Sequence, residues 1–336
     1  MSRSQPVRVA ILRCDIHAYF FAALMRRPDP RRLQQHCPLI HRLLTDPETP
    51  ERYLTPPVPG FRITAAWDAD EASAHRFAET FGATAVVCRK ASDVTDHADA
   101  GLIACCSGDG SDHLALARPL LKAGIPTFVD KPFAATTRDA QAMIRLVTSH
   151  DTPLMSASML HVAEAVAFQQ QRRPEVGRLG LGIIHGSHGW ENEGGLEGVS
   201  HGIAMALAVY GRDVEWVECM GELSREFILL RYADGGKVLV VNMDQTWWPG
   251  AFSTEAWGYR SSTGTRTHVN SSAIGDLELP AAGKKLIRQF RTMVRTGAPP
   301  MPYPTMLAWV RIAEAAEEAQ RTGKRVEVGR RQEARR

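Results

Sequence analysis

The sequence predicts an α/β fold: a doubly wound parallel sheet in the first half, then an α+β domain with a mostly antiparallel sheet. Three observations carry this. Short apolar strands alternate with helical patterns up to about residue 150, the rhythm of a parallel sheet with crossover helices. After about residue 155 the strands lengthen and a hairpin signal appears. The chain has 336 residues, a length that suits about two domains. The division read from this is residues 1–150, with an insertion at about 26–59, then 151–328, then a basic tail at 329–336.

Each element follows from its residues. Val7 to Leu12 is apolar and β-branched, a first strand. Ala18 to Met25 continues as a helix. The segment from Arg26 to Pro59 is rich in proline and arginine, with a helical patch at Leu33 to Leu44, and reads as an insertion. Phe61 to Trp67 is a second strand closed by Asp68. Glu71 to Phe81 places Ala74, Phe77, Ala78 and Phe81 on one helical face. Val86 and Val87 form a short strand and Gly101 to Cys106 a longer one. Leu114 to Ala123 is a helix closed by Gly124, as expected at a C-terminal cap. Thr127 to Val129 is the next strand, and Thr136 or Thr137 opens a helix carrying Ala140, Met143, Ile144 and Val147. Beyond, strands are expected at Leu181 to His185, Phe227 to Tyr232 and Lys237 to Val241. The last two flank Ala233-Asp234-Gly235-Gly236, a hairpin turn. Helices are expected at His201 to Val209, Lys284 to Thr296 and Met306 to Arg321, the last stopped by Gly323. Lys324 to Val328 is read as a closing strand.

Composition narrows the function classes. Apolar residues make up 44% and charged residues 23% of the chain, as in soluble globular proteins. No apolar run reaches the roughly 18 residues of a membrane span, and the polar first residues, Met1 to Pro6, lack the apolar stretch of a secretory signal. Net charge is +3, concentrated in Lys324 to Arg336, a frayed basic terminus. A basic stripe interleaved with aromatics is missing, which argues against nucleic acid. The six cysteines include no C-x-x-C pair, so neither a zinc ribbon nor a thioredoxin motif is indicated, and a reducing cytoplasm is expected.

The residues that carry chemistry cluster at predicted strand ends. Lys131, in Asp130-Lys131-Pro132, stands where a parallel sheet binds its ligands and can give or take a proton. Asp68 at the second strand end can accept ribose hydroxyls or cap a helix. Cys105 to His113 links a strand to a helix through small residues, a route for anion approach, with His113 on the first helical turn. Glu197 and His201 lie four apart in a glycine-rich stretch, so a helix puts them on one face, where a carboxylate raises the basicity of an imidazole. A buried structural histidine is the competing reading of both His113 and His201.

Taken in order, these motifs resemble the Gfo/Idh/MocA family, which includes glucose–fructose oxidoreductase and inositol dehydrogenase. That family carries Glu-Lys-Pro after a strand, a histidine opening the preceding helix, an Asp-x-x-x-His pair in the second domain, and a final helix followed by Gly-Lys-x-Val. Here stand Asp130-Lys131-Pro132, His113, Glu197 with His201, and Pro304 to Val326. The resemblance covers nearly all the chain except Arg26 to Pro59. It implies a Rossmann-type nucleotide-binding domain and a substrate domain, with NAD(P)-dependent redox chemistry on a hydroxyl of a sugar, cyclitol or polyol. By position, Lys131 and His201 would be catalytic, with Glu197 assisting. Cys14, Asp15, Ile16, His17, Asp68, Cys106, Ser107, His113, Asp130, Lys131 and Pro132 would line the cofactor, and the acid at Asp68 favours NAD over NADP. A homodimer or homotetramer through the second-domain sheet is the implied assembly.

The chain also departs from the family. No glycine precedes Gly60, so the G-x-G-x-x-G fingerprint after the first strand is replaced by Arg13-Cys14-Asp15-Ile16-His17-Ala18-Tyr19. Asp15 brings negative charge to the place a pyrophosphate should occupy, and cofactor binding is expected to be weakened. Two other readings follow: a non-redox binding protein or pseudoenzyme with a decayed nucleotide site, and a metal-dependent lyase or hydrolase. For the latter, Asp15, His17, Asp112 and His113 offer a zinc-type donor set if they converge, although no metal is the favoured reading. The family's arginine after the next strand is replaced near Ser158-Met159-Leu160-His161, which turns attention to His161 as a substrate contact. Trp247, Trp248 and Trp257 are candidates for a sugar-stacking wall.

Overall fold

The computed structural model describes residues 5–82, 85–106, 108–187, 196–222, 225–243, 252–260, 265–270, 274–275 and 278–329. The chain forms two compact units, the first made of Met1–Ala134, Arg138–Ala157 and Pro280–Pro302, the second of Ala135–Thr137, Ser158–Leu279 and Tyr303–Arg336.

The first unit is built on six parallel strands: β1 (Val7–Leu12), β2 (Phe61–Trp67), β3 (Val86–Val87), β4 (Ala100–Ile103), β5 (Thr127–Val129) and β6 (Leu154–Ser156). They lie in the order β3-β2-β1-β4-β5-β6. The order reverses direction between β1 and β4, and their carboxyl ends bound the crevice where such sheets take ligands. β1 is apolar at every position but Arg8 because it is covered on both faces; Val9, Ala10, Ile11 and Leu12 are fully buried. The expected strand at Gly101 to Cys106 is shorter, because after Ile103 the chain leaves the ladder and turns over the sheet edge.

Helices α1 (Ile16–Met25), α4 (Glu71–Thr80), α5 (His113–Lys122) and α6 (Thr137–His150) alternate with these strands. The proline-rich segment holds two short helices, α2 (Pro30–His36) and α3 (Pro38–Leu44), each with proline in its first turn. Asp29 N–H donates to Thr80 O (2.9 Å) and Arg32 pairs with Glu79 (2.7 Å). The segment therefore lies against α4. From the second half of the chain, α9 (Leu279–Thr296) joins the first unit. Phe290 stacks on Phe61 (6.0 Å between centroids) and meets Phe128 (5.9 Å). A Cβ on Gly283 would lie 2.6 Å from Phe20 and Leu24, so glycine lets α9 approach α1 closely.

The second unit carries a seven-stranded sheet of β7 (Arg178–Ser187), β8 (Val214–Glu222), β9 (Arg225–Tyr232), β10 (Lys237–Met243), β11 (Ser253–Arg260), β12 (Thr265–Asn270) and β13 (Val326–Glu327). Its order is β12-β11-β7-β10-β9-β8-β13. All pairs are antiparallel except β7 with β10. β9 and β10 form the expected hairpin: Asp234 accepts from Gly236 N–H (2.8 Å) and Gly235 takes φ +88°. Val238, Val240 and Asn242 alternate inward on β10, under α8 (Leu196–Tyr210). α7 (Glu164–Arg172) and α10 (Tyr303–Thr322) complete the unit. On the opposite face Leu181, Phe227, Trp257 and Tyr259 are exposed. No helix among the described residues is long and apolar enough to cross a membrane.

Candidate functional site

In the first unit, the carboxyl ends of β1, β2, β4 and β5 bring most of the sequence-predicted residues together. Lys131 follows β5 and is only 3% exposed. Its Nζ donates to Cys106 O (2.9 Å). Pro132 follows across a cis peptide bond. Asp130 is 1% exposed, and its Oδ2 accepts from His17 Nδ1 (2.5 Å) and from Cys105 N–H (3.1 Å). Burial alone would lower the His17 pKa, but the Asp130 charge, with Cys106 adding to it, pushes it up to about 10. Burial works to raise the Asp130 pKa, yet the His17 cation holds the carboxyl below its ordinary value. His17 and Asp130 therefore form an ion pair, with Lys131 as the next positive charge.

The glycine-free first loop is closed by the chain's own carboxylates. Arg13 adopts φ +65°, the left-handed conformation usually left to glycine. Its guanidinium is held by Asp112 (2.5 Å). Asp15 caps α1: Oδ1 accepts from His17 N–H (3.0 Å) and Ala18 N–H (3.2 Å). Its second oxygen, Oδ2, accepts from Cys106 N–H (2.7 Å) on the loop after β4. Asp68, at the end of β2, accepts from Cys14 N–H (2.6 Å) and Asp70 N–H (2.8 Å). The alternative role weighed for Asp68, the cap of the following helix, belongs instead to Asp70, whose side chain accepts from Ala72 and Ser73.

The remaining candidates divide. Cys14 is buried, whereas Ile16 is exposed on the first turn of α1. Ser107 lies outside the described residues. His113 opens α5, but its ring is buried inward: Nδ1 is 3.3 Å from Phe133 O and Nε2 has no partner. Burial lowers its pKa, so it is a neutral core histidine. Asp15, His17, Asp112 and His113 do not converge as ligands; each is engaged as just described. Among the described residues no three His, Cys, Asp or Glu side chains form a set that could hold a metal.

In the second unit, His201 lies on α8 with its Nδ1 3.0 Å from Ser158 Oγ and its ring beside Phe252 (5.7 Å between centroids). Ser158 is fixed from both sides. Its N–H donates to His161 Nδ1 (3.0 Å), and its Oγ accepts from Leu160 N–H (3.2 Å). His161 is not turned outward toward a substrate, as its position in the sequence suggested. Its Nδ1 is taken by Ser158, its Nε2 is buried, and its ring meets the Trp309 edge at 4.7 Å. Burial pushes its pKa down to about 4, consistent with a neutral imidazole accepting at Nδ1. Trp309 Nε1 donates to Ser200 O (3.0 Å), which ties α10 to α8 beside His201. The α8 backbone places Glu197 one turn before His201; the Glu197 side chain, like Trp247 and Trp248, is outside the described residues. Trp257 stacks on His268 (3.8 Å) on the exposed sheet face. The sequence did not single out Ser158 as a polar partner of His201, nor the His17–Asp130 pair.

Residues 49–158 match the Gfo/Idh/MocA model, described as an oxidoreductase family with an NAD-binding Rossmann fold. The match spans 110 of the 336 residues, and over that stretch the chain is similar to this family. The matched stretch contains Lys131 and Asp68 but begins after β1 and its loop. Solved structures share the fold over both units. The chain covers 96% of itself and 99% of scyllo-inositol dehydrogenase from Lactobacillus casei with bound NAD(H) and scyllo-inositol, at 13% identity and a TM-score of 0.73. For myo-inositol 2-dehydrogenase from Lactobacillus plantarum the values are 96% and 100%, 14% and 0.72. For an oxidoreductase from Agrobacterium radiobacter in complex with NAD+, L-tartaric acid and magnesium they are 97% and 99%, 16% and 0.71. No curated protein matches the sequence.

The first unit fits a dinucleotide in part. Asp68 stands at the β2 end with lone pairs left for ribose hydroxyls, and Lys131 stands at the β5 end. At the start of α1, where a pyrophosphate would be received, the donors are already held by Asp15.

Proposed function

We propose that this chain is an oxidoreductase of the Gfo/Idh/MocA kind, acting on a hydroxyl of a sugar, cyclitol or related polyol, with Lys131 and His201 as its proton-handling residues. The observation that carries this is Lys131: a lysine buried at the carboxyl end of a parallel strand, anchored through Cys106 O. A nicotinamide dinucleotide, when bound, supplies the hydride acceptor or donor. The chain's part is to hold the alcohol and move its proton. Lys131 can donate a hydrogen bond to a substrate oxygen while keeping its carbonyl anchor, since an ammonium has three donors. His201, oriented by Ser158, is the proposed acid–base group, with Glu197 assisting from one turn earlier. Asp68 supports NAD over NADP, because a carboxylate there repels a 2′-phosphate. The inositol dehydrogenases among the structural neighbours support cyclitols as the first substrates to try.

None of the six cysteines forms a disulfide in the structure, which supports a reducing compartment such as the cytoplasm. The exposed apolar sheet face supports assembly into a dimer or tetramer.

The test is a panel of inositols, aldoses and alditols with NAD+ and NADP+, followed at the nicotinamide absorbance. Turnover of at least one polyol with NAD+ is expected. Lys131→Ala should lower kcat by about 10²- to 10⁴-fold, a loss far beyond any accompanying change in cofactor affinity, while leaving the fold intact. Full activity in that variant would refute the role given to Lys131. Asp15 in the phosphate-binding position is the observation that favours the second reading, a polyol-binding protein without redox activity. Failure of NAD+, NADH, NADP+ and NADPH alike to raise the melting temperature at millimolar concentration would select it.

A further inference from the structure

We infer that Asp15 is an internal occupant of the phosphate cradle and sets the affinity for the dinucleotide, whose pyrophosphate enters only in exchange for the Asp15 carboxylate. The inference rests on the cofactor reading above and adds a binding determinant to it.

Three features of the geometry carry it. First, the two Asp15 oxygens draw on N–H donors from two different loops, His17 and Ala18 after β1 and Cys106 after β4. An N-cap needs only the first pair. The third bond, the shortest of the three at 2.7 Å, spans the crevice between the strands where the sheet reverses direction. Ligands of such sheets lie in that crevice. Second, the charge has the sign of the group it would exclude. A carboxylate on helix-terminal N–H groups satisfies the same donors and the same helix dipole as a phosphate oxygen. Third, the surroundings are arranged for an anion apart from Asp15. His17 is protonated through Asp130, and Lys131 holds the Cys106 carbonyl in the same loop that donates to Asp15. Without Asp15 the crevice would present three N–H donors beside the His17–Asp130 ion pair and the Lys131 ammonium.

Rotation about the Asp15 side-chain bonds frees the donors, and the cost is the loss of three charge-assisted hydrogen bonds to be replaced by those of the incoming phosphates. The dinucleotide therefore competes with a covalently attached anion, and affinity is reduced by the fraction of molecules in which the carboxylate is seated.

The test is titration of NADH, by calorimetry, into the full-length wild type, Asp15→Ser and Asp15→Asn under one buffer and salt. Serine is a good N-cap, and asparagine keeps the acceptor without the charge, so helix α1 keeps its start in both; circular dichroism and melting curves check this. Both variants are expected to bind NADH about tenfold tighter or more. Inorganic pyrophosphate should displace NADH from the variants at lower concentration than from the wild type. Equal or weaker NADH binding in both folded variants overturns the inference and leaves the cofactor reading standing. Absence of NADH binding in all three proteins overturns both.

Discussion

The His17–Asp130 pair makes the stability of the first unit depend on alkaline pH, in a way that one substitution can isolate. His17 has a folded-state pKa of about 10, above the 6.5 of an unfolded histidine. Its contribution is therefore whole below pH 6.5 and is lost as the pH rises through about 10. The interval between these values, at about 1.4 kcal/mol per pH unit, caps the pH-dependent part at about 5 kcal/mol. The expected value is about 2–3 kcal/mol, because Asp130 keeps two other supports when His17 loses its proton: the Cys105 N–H at 3.1 Å and the adjacent Lys131 charge. The perturbation is His17→Gln, measured against wild type by urea denaturation at intervals from pH 6 to pH 10.5. Lysines, tyrosines and the other thiols titrate in both proteins and cancel in the difference. The variant should be less stable by about 2–3 kcal/mol at pH 6, and the gap should close by pH 10.5. A gap that stays constant over the whole range would show that His17 contributes through packing and that the ion pair is not the source of its stability.

Other expectations follow from the second unit. His161 has its pKa pushed down to about 4 by burial, so the unfolded chain takes up a proton that the folded one refuses. Stability should fall between pH 6.5 and pH 4 by up to about 3 kcal/mol, and a His161→Gln variant should show a flatter acid limb in the same urea assay. Ser158→Ala removes the hydroxyl 3.0 Å from His201 Nδ1; kcat should drop about tenfold with a displaced pH–rate profile, while the calorimetric affinity for NADH stays unchanged. Trp257→Asp places a charge on the exposed sheet face. If that face joins copies of the chain, light scattering should report a smaller species than wild type, and an unchanged mass would exclude Trp257 from the interface.

Much of the first unit was legible in the sequence because its signals are local. Val7 to Leu12, Phe61 to Trp67 and Thr127 to Val129 are each an apolar run with polar or turn residues at its end, and each is a strand with those bounds. Lys131 was legible for the same reason, since its place at a strand end needs only the strand. Long-range pairing was not. His17 and Asp130 are 113 positions apart and join strand ends separated by β4, which only the strand order reveals. His161 misled because position alone does not tell where a ring points; the buried edge contact with Trp309 comes from a helix nearly 150 positions later. β8, β11 and β12 were missed because charged and apolar residues mix along them, as in Val214 to Glu222. Such strands are specified by their neighbours more than by their own composition.

The first loop shows how a missing motif can be misread. Absence of G-x-G-x-x-G suggests that the nucleotide turn itself has been lost. The structure keeps the turn by other means. Arg13 takes the left-handed conformation at a cost of about 1 kcal/mol, offset by its pairing with Asp112 at 2.5 Å. Cys14 N–H is fixed by Asp68, and Asp15 holds the N–H groups of both flanking loops. The donors therefore still converge on one point between β1 and β4; what differs is the anion that sits there. A loop that had lost its role would have no reason to keep donors from two separate segments aimed at a single carboxylate. On the inference drawn above, the shape of an anion site persists, and Asp15 decides which anion fills it.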